Sequence, residues 1–276
     1  MSDPLNVLVT GCSSGFGELI AVSFADLGHR VFATMRTPGK SALLNARSDV
    51  EQLALDVTDT ASVDAAIGEA IRRCGRLDVL VNNAGIEVFG AVHLLSDDEV
   101  VRQFDTNVTG VVRTARAVVP HMLANGGGAI VTVGSVAGRV GTPYGGLYAA
   151  SKHAVEALTE SMHFELAHRG IRVSVVEPGQ FATNLAANST VAAAMVEGGD
   201  EYERWQRYRA AQRTLASGEP ADPQLVADAV VRAATERPGV LRHAIGRDAD
   251  LVLGAKGSMS FEDFDAAMRA VLGWHE

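Results

Sequence analysis

The chain has 276 residues, 47% of them hydrophobic, and a formal net charge of −9. That length buries one large core or two modest ones, and the acidic balance argues against a nucleic-acid partner, which needs a basic face. No apolar run approaches a membrane span, no basic region followed by an apolar stretch marks a signal peptide, and two cysteines, Cys12 and Cys74, make no disulfide framework, so a cytoplasmic protein with reduced thiols is expected.

Short β-branched runs alternate with longer helical ones. Leu5–Thr10 reads as a buried strand, and Gly15–Leu27 as a helix stopped by Gly28. Arg30–Thr34 and Glu51–Leu55 read as strands, Thr60–Arg73 as a helix, and Asp78–Val81 as a fourth strand. The pattern continues with a long helix over Asp97–Ala124, a strand over Ala129–Gly134, a second long helix over Gly145–His168 and a strand over Ile171–Val176. Ala186–Asp222 breaks the rhythm: it starts alanine-rich, turns charged and aromatic, and is expected to be an inserted helical flap over the substrate. Within it Tyr202, Trp205 and Tyr208 are spaced to share one helix face. A helix over Pro223–Arg237, a strand over Val240–Ile245 and a short helix over Asp263–Leu272 complete the chain. Strands apolar on both faces and alternating with helices predict one α/β domain, a doubly wound parallel sheet of Rossmann type with helices on both faces.

The first junction reads T-G-C-S-S-G-F-G at 10–17. Strand, glycine-rich backbone and helix N-terminus together make an anion site, because free N–H groups and the helix dipole both favour phosphate. The glycines, Gly11, Gly15 and Gly17, are not spaced as G-x-G-x-x-G, and no Gly-Lys-Ser/Thr follows to make a P-loop. A dinucleotide site for NAD places a carboxylate at the end of the second strand. Here that strand ends in Met35-Arg36, and a guanidinium suits a ribose 2′-phosphate instead. Thirteen residues after Ser135 come Tyr148 and then Lys152, one helical turn apart. An ammonium beside a phenol is expected to lower its pKa toward working pH, and Ser135 to hydrogen-bond a substrate oxygen.

In this order and combination the motifs resemble the short-chain dehydrogenase/reductase family: T-G-C-S-S-G-F-G at 10–17, L-D-V-T at 55–58, N-N-A-G at 82–85, Asn107 in F-D-T-N-V-T-G, Ser135, Tyr148 with Lys152, and P-G-Q-F-A-T at 178–183. The first motif, with A-T-M-R, is more loosely similar to the 17β-hydroxysteroid and retinol dehydrogenase-like subgroup. The resemblance implies Tyr148 as general acid or base, with Lys152 lowering its pKa and holding the nicotinamide ribose. It implies Ser135 as the group orienting the carbonyl, and Asn107 as the residue that interrupts its helix and holds a relay water. It assigns Gly11, Ser13, Ser14, Gly15, Phe16, Gly17, Arg36, Asp56, Val57, Asn83, Ala84, Gly85, Pro178, Gly179, Phe181 and Thr183, together with Tyr148 and Lys152, to cofactor binding. Asp56 and Val57 would flank the adenine, and Thr183 would take the nicotinamide carboxamide.

The function expected is an NADP(H)-dependent alcohol dehydrogenase or carbonyl reductase, with NAD less favoured. The rivals are a nucleotide-sugar isomerase or dehydratase using the same Tyr/Lys pair, and a non-catalytic NADP-binding regulator. Val88, Phe89, Val140, Tyr144, Leu147, Phe181 and Leu185 are expected near the substrate, and their apolar character favours a hydrophobic alcohol or ketone. The histidines lack ligand spacing, so no metal is expected. Cys12 has no basic group to activate it. Relatives pair the two long helices across a two-fold axis, so a homodimer or homotetramer is expected, without membrane or nucleic-acid partners.

Overall fold

A computed structural model describes residues 3–181, 189–215, 221–236 and 239–273. In chain order the elements begin β1 (Asn6–Thr10), α1 (Phe16–Asp26), β2 (Arg30–Met35), α2 (Ala42–Asn45), β3 (Val50–Ala54), α3 (Thr60–Cys74), β4 (Val79–Asn82) and β5 (Val88–Phe89). They continue with α4 (Asp97–Phe104), α5 (Gly110–Ala124), β6 (Gly128–Val133), α6 (Gly146–Leu166), β7 (Ile171–Pro178) and β8 (Thr190–Val191). The last are α7 (Asp200–Leu215), α8 (Gln224–Thr235), β9 (Arg242–Ile245), α9 (Arg247–Ser258) and α10 (Phe261–Leu272). Seven strands form one sheet in the order β3-β2-β1-β4-β6-β7-β9, every pair parallel.

Strand alternation explains the two buried layers. Val7 and Val9 point to one face, where Ile20 and Phe24 of α1 and Val226 and Val230 of α8 cover them. Leu8, Phe32, Leu80 and Ile130 point to the other, against Ile67 of α3 and Val118 and Met122 of α5. A sheet covered on both faces needs strands with no polar side, which is the pattern of the sequence.

The structure departs from the expected elements in places. Periodicity predicts one helix over Asp97–Ala124, but a π-helical turn at Asp105–Thr109 separates α4 from α5. There the backbone takes an extra residue so that Asn107 points inward and is buried. The one-turn α2 and the two-residue β5 and β8 carry too few residues for a period to show, and the glycines at 254 and 257 weaken the helical signal of α9. Of Ala186–Asp222, the described part contains β8 and α7. Trp205 and Tyr208 are only 4% and 3% exposed, so the aromatic face of α7 is docked: its rings meet Phe89, Tyr144 and Tyr202 at 5.3–6.1 Å between centroids.

The glycines of the first loop have different causes. Gly15 caps α1 at φ +69°, a conformation that side chains disfavour. A Cβ on Gly11 would lie 2.7 Å from Ala84 Cα, and one on Gly17 2.3 Å from the Gly11 carbonyl oxygen and 2.5 Å from Asn83 Nδ2. What approaches these two glycines is therefore the protein itself: the Ala84 backbone just after β4 at Gly11, and the Gly11 carbonyl with the Asn83 side chain at Gly17. Exposed Gly68 on α3 has nothing within 4 Å of its Cβ position. In denaturant titrations Gly17→Ala should lose about 1–3 kcal/mol through overpacking, whereas Gly68→Ala should gain about 0.5–1 kcal/mol.

Candidate active site

The sequence-predicted residues gather along the carboxyl edge of the sheet. The glycine loop leaves β1, Arg36 leaves β2, Asp56 and Val57 follow β3, Asn83–Gly85 follow β4, Ser135 follows β6, and Gly179 and Phe181 follow Pro178 at the end of β7. The chain moves outward from β1 to β2 and β3, then crosses back to β4. The crevice between β1 and β4 is thus the switch point where open α/β sheets bind ligands.

Buried hydrogen bonds shape that crevice. Asn83 Nδ2 donates to the carbonyls of Thr10 and Gly11 at 2.9 and 3.1 Å. Thr10 Oγ1 accepts from the N–H groups of Asn83 and Ala84 at 3.0 and 3.1 Å. The glycine loop and the N-N-A-G turn are therefore one unit. Phe16 meets Phe181 edge to face at 5.8 Å, joining the first loop to the turn after β7. Asp248 at the start of α9 fixes that turn by accepting from the Gln180 N–H at 2.6 Å, and a Cβ on Gly179 would collide with its carboxylate. Ser13 is exposed, and Ser14, Gly15 and Phe16 are half-buried, so this stretch faces the crevice mouth. Arg36 is exposed and, among the described residues, makes no ion pair. Arg47, by contrast, is held by both oxygens of Asp49 and by Asp26, at 2.6–2.8 Å. Asp56 folds its carboxylate onto the N–H and hydroxyl of Thr58, and Val57 is buried.

The chemistry-bearing side chains come from α6 and the turn before it. The Ser135 hydroxyl accepts from the Ala137 N–H at 3.1 Å and lies near enough to the Tyr148 phenol to favour its ionised form. Lys152 is 7% exposed; its ammonium lies 5.6 Å from the centroid of the Tyr148 ring and donates to the Val133 carbonyl at 2.7 Å. The Asn107 carboxamide donates to the Ile86 carbonyl and Ser151 Oγ at 2.9 and 3.1 Å and accepts from the Ile86 N–H at 2.9 Å. Both of its N–H groups are committed to protein, so this carboxamide has no donor left for the relay water that the resemblance implies. Gln103, fully buried, accepts from the Val88 N–H at 2.9 Å and donates to the Ile86 carbonyl at 2.6 Å. Ser151 donates to the Tyr148 carbonyl at 2.7 Å.

Electrostatics correct one expectation. Burial and the nearby carboxylate of Glu87 push the Tyr148 phenol above its ordinary pKa, and the Ser135 hydroxyl only partly offsets them. Lys152 is not among the groups that shift the phenol, and its ammonium donates instead to the Val133 carbonyl. Burial pulls Lys152 down to about 8, against the opposing charges of Glu156 and Glu87. Glu87 is itself raised by burial, with Ser189, Arg209 and Lys152 acting the other way. Burial also raises the Cys12 thiol to about 12, which leaves it a small packing residue.

Some expected substrate neighbours are core residues: Val88, Val140 and Leu147 are at most 6% exposed. Phe89 and Tyr144 line the aromatic cluster under α7, and Tyr144 donates its hydroxyl to Glu201 at 3.1 Å. Thr183 and Leu185 lie outside the described residues. Glu87, Gln103, Ser151 and Asp248 were not picked out from sequence. Gln103 stands four residues before Asn107 and Ser151 three after Tyr148, so helical spacing is the available signal for both.

The profile of the short chain dehydrogenase family matches residues 5–193. The chain belongs to that family. It is 39% identical over 188 residues to a 3-ketodihydrosphingosine reductase from Bacteroides thetaiotaomicron, covering 68% of each chain. It is 36% identical over 253 residues to human retinol dehydrogenase 8, covering 87% of this chain and 81% of that one, in keeping with the looser subgroup resemblance. A short-chain dehydrogenase/reductase from Burkholderia phymatum, solved in complex with NAD, superposes with a TM-score of 0.80 at 28% identity over 96% of this chain and 95% of that one. This short-chain dehydrogenase therefore shares sheet and crevice with an NAD-bound relative. No helix among its described residues is long and apolar enough to cross a membrane.

Proposed function

We propose that this short-chain dehydrogenase is an NADP(H)-dependent oxidoreductase that interconverts a hydrophobic alcohol and its ketone or aldehyde. The observation that carries the reading is the convergence of Ser135 and Tyr148 on one point, with the Lys152 ammonium over the same ring. A nicotinamide dinucleotide bound in the crevice supplies or accepts the hydride. The glycine loop from Gly11 to Gly17, Asp56 and Val57, Asn83–Gly85 and the turn Pro178–Phe181 would hold it, with Thr183 as the remaining match to the family motif. The fit rests on the switch-point crevice, on the helix N-terminus behind Gly15 and on the exposed Arg36 just after β2, which makes no ion pair among the described residues.

The chain's own residues then do the proton work. Ser135 holds the substrate oxygen against the phenol. Tyr148 gives its proton to that oxygen in reduction and removes it in oxidation. Its raised affinity for the proton keeps it in the acid form that the reduction direction requires. Lys152 holds positive charge beside the phenolate that remains. The half-buried rings of Phe89, Tyr144 and Tyr202, at the edge of the aromatic cluster, favour a hydrophobic substrate. Tyr148→Phe keeps the ring and removes the acid, so turnover of an apolar ketone should fall at least ~10²-fold with cofactor affinity little changed. Near-normal turnover would refute the assignment.

Cofactor preference rests on Arg36, since β2 ends without a carboxylate and Arg47 is already committed. A charge-assisted contact to a 2′-phosphate contributes ~1.5–3 kcal/mol, which is about ten- to a hundred-fold in affinity. Arg36→Ala should weaken NADPH by that factor and leave NADH nearly unchanged, as read from kcat/KM for both cofactors. Equal loss for both would overturn it.

A second copy of the chain is the proposed partner. Between α5 and α6 runs an apolar groove lined by Val111, Val112, Ala115, Val119, Leu158 and Met162, with Val112 itself 41% exposed. Apolar surface of this kind marks an interface. Light scattering at micromolar concentration should give a dimer or tetramer, and a monomer would count against it.

A further inference from the structure

One turn beyond Lys152 on α6, Glu156 is only 5% exposed, and Glu177 on β7 only 1%. The Glu177 charge acts directly on Glu156. Ionised carboxylates only accept hydrogen bonds, so two buried ones acting on each other repel unless they share a proton. The remaining contacts agree. Glu156 Oε2 accepts from Arg242 Nε of β9 at 3.1 Å, and Glu177 Oε1 accepts from Arg139 at 3.2 Å. Arg242 also bridges to Glu160. Glu156 Oε1 is buried and, among the described residues, has no N–H or hydroxyl donor. An acid proton held with Glu177 would satisfy it.

The pair sits against the machinery already described. A Cβ on Gly134 would lie 3.1 Å from Glu156 Oε1, and one on Gly138 3.0 Å from Glu156 Cγ and 3.1 Å from the Lys152 carbonyl. Those glycines flank the turn that carries Ser135. The charge of Glu156 also acts directly on Lys152. We propose that Glu156 and Glu177 form a proton-sharing carboxyl pair that sets the charge of Lys152, making them positioning residues for the reaction; the catalytic part of this claim rests on the function proposed above.

With the proton in place the pair carries one negative charge; without it, two. Burial and the Glu177 charge push Glu156 up to about 7, against Arg242. Lys152 is pulled down to about 8. As pH rises the pair therefore gains its second charge just before the lysine would lose its own, and the added charge keeps the ammonium protonated. The charged groups facing Glu156 are Glu177, Arg242, Arg139, Lys152 and Glu160, and Glu87 acts on Lys152 from the other side.

Glu156→Gln and Glu177→Gln test this, because a glutamine N–H replaces the shared proton and fixes the singly charged state. Glu156 has a folded-state pKa above its ordinary value, so its stabilisation is full below that ordinary value and is lost as pH rises through about 7. Thermal midpoints of the wild type should fall from about pH 5 to about pH 8 relative to either variant, and the two variants should behave alike because the proton belongs to the pair. Parallel curves for all three would overturn the proposal. In the wild type alone, infrared difference spectra between about pH 6 and about pH 8 should lose a protonated-carboxyl band; no such loss is equally fatal, even where a variant fails to fold. A carbon-NMR titration of the lysine Cε groups, with Lys152 assigned by Lys152→Arg, should place its midpoint lower by about half a unit or more in Glu156→Gln, which removes the charge that acts on the lysine. An unmoved midpoint would leave a carboxyl pair with no influence on the lysine and would overturn the proposal. The alkaline limb of kcat/KM should shift with the NMR midpoint. Absence of turnover in the wild type would refute the proposed function while the stability, infrared and NMR results still decide the pair.

Discussion

The site depends on how closely two turns approach each other where β1 and β4 end. Gly11 lies against Ala84, and Gly17 against Asn83 and the Gly11 carbonyl, with no room for a Cβ at either glycine. Thr10 and Asn83 close the contact with four hydrogen bonds. Each adds only about 1 kcal/mol net, but an unpaired buried backbone group would cost about 1–3 kcal/mol, so the set has little freedom. The consequence for function is directional. The inner side of the glycine loop is consumed by packing, and only the outward side, with Ser13 and the Gly15 cap, is presented to a ligand.

A second constraint connects the far side of the crevice to α6. The π-helical turn aims Asn107 inward, and with Gln103 it satisfies both polar groups of Ile86 and the N–H of Val88. Asn107 reaches on to Ser151, whose hydroxyl is tied to the Tyr148 carbonyl one residue before Lys152. The loop holding Glu87 and the helix holding Tyr148 and Lys152 are thus positioned by the same buried amides. A change at the π turn would be felt at the phenol through this chain, although Asn107 has no hydrogen bond to Tyr148 itself.

Much of this was legible in the sequence. Strands apolar on both faces revealed the parallel sheet, and loops placed after those strands located the crevice, because that edge is where an α/β fold puts its loops. Three-dimensional partners were not legible. Gly11 and Gly17 look like ligand-approach glycines until Ala84 and Asn83 are seen beside them. The helix over 97–124 has continuous periodicity, which hides a one-residue bulge. The carboxylates at 87, 156 and 177 are separated by long stretches of sequence, and nothing local shows that Glu177 acts on Glu156 or that two of them act on one lysine. The phenol's pKa was misjudged for the same reason: spacing places Lys152 by Tyr148, but only the fold shows its hydrogen bond going to Val133.

The charge on that lysine links the two halves of the site. An ammonium buried to 7% exposure is costly, and burial alone pulls it toward neutrality. Glu87 opposes this from the loop after β4, and Glu156 from the next turn of the same helix. Glu87 also raises the phenol, so one carboxylate keeps the lysine charged and the tyrosine protonated together. Those are the two protonation states that a reductase needs before it transfers a proton to a carbonyl. An arginine at 152 would remain charged without such support, but its pKa would not move within the working range and its planar fork would not fit a single carbonyl acceptor at Val133. The acidic surroundings of the cleft thus make a movable lysine charge compatible with an apolar site.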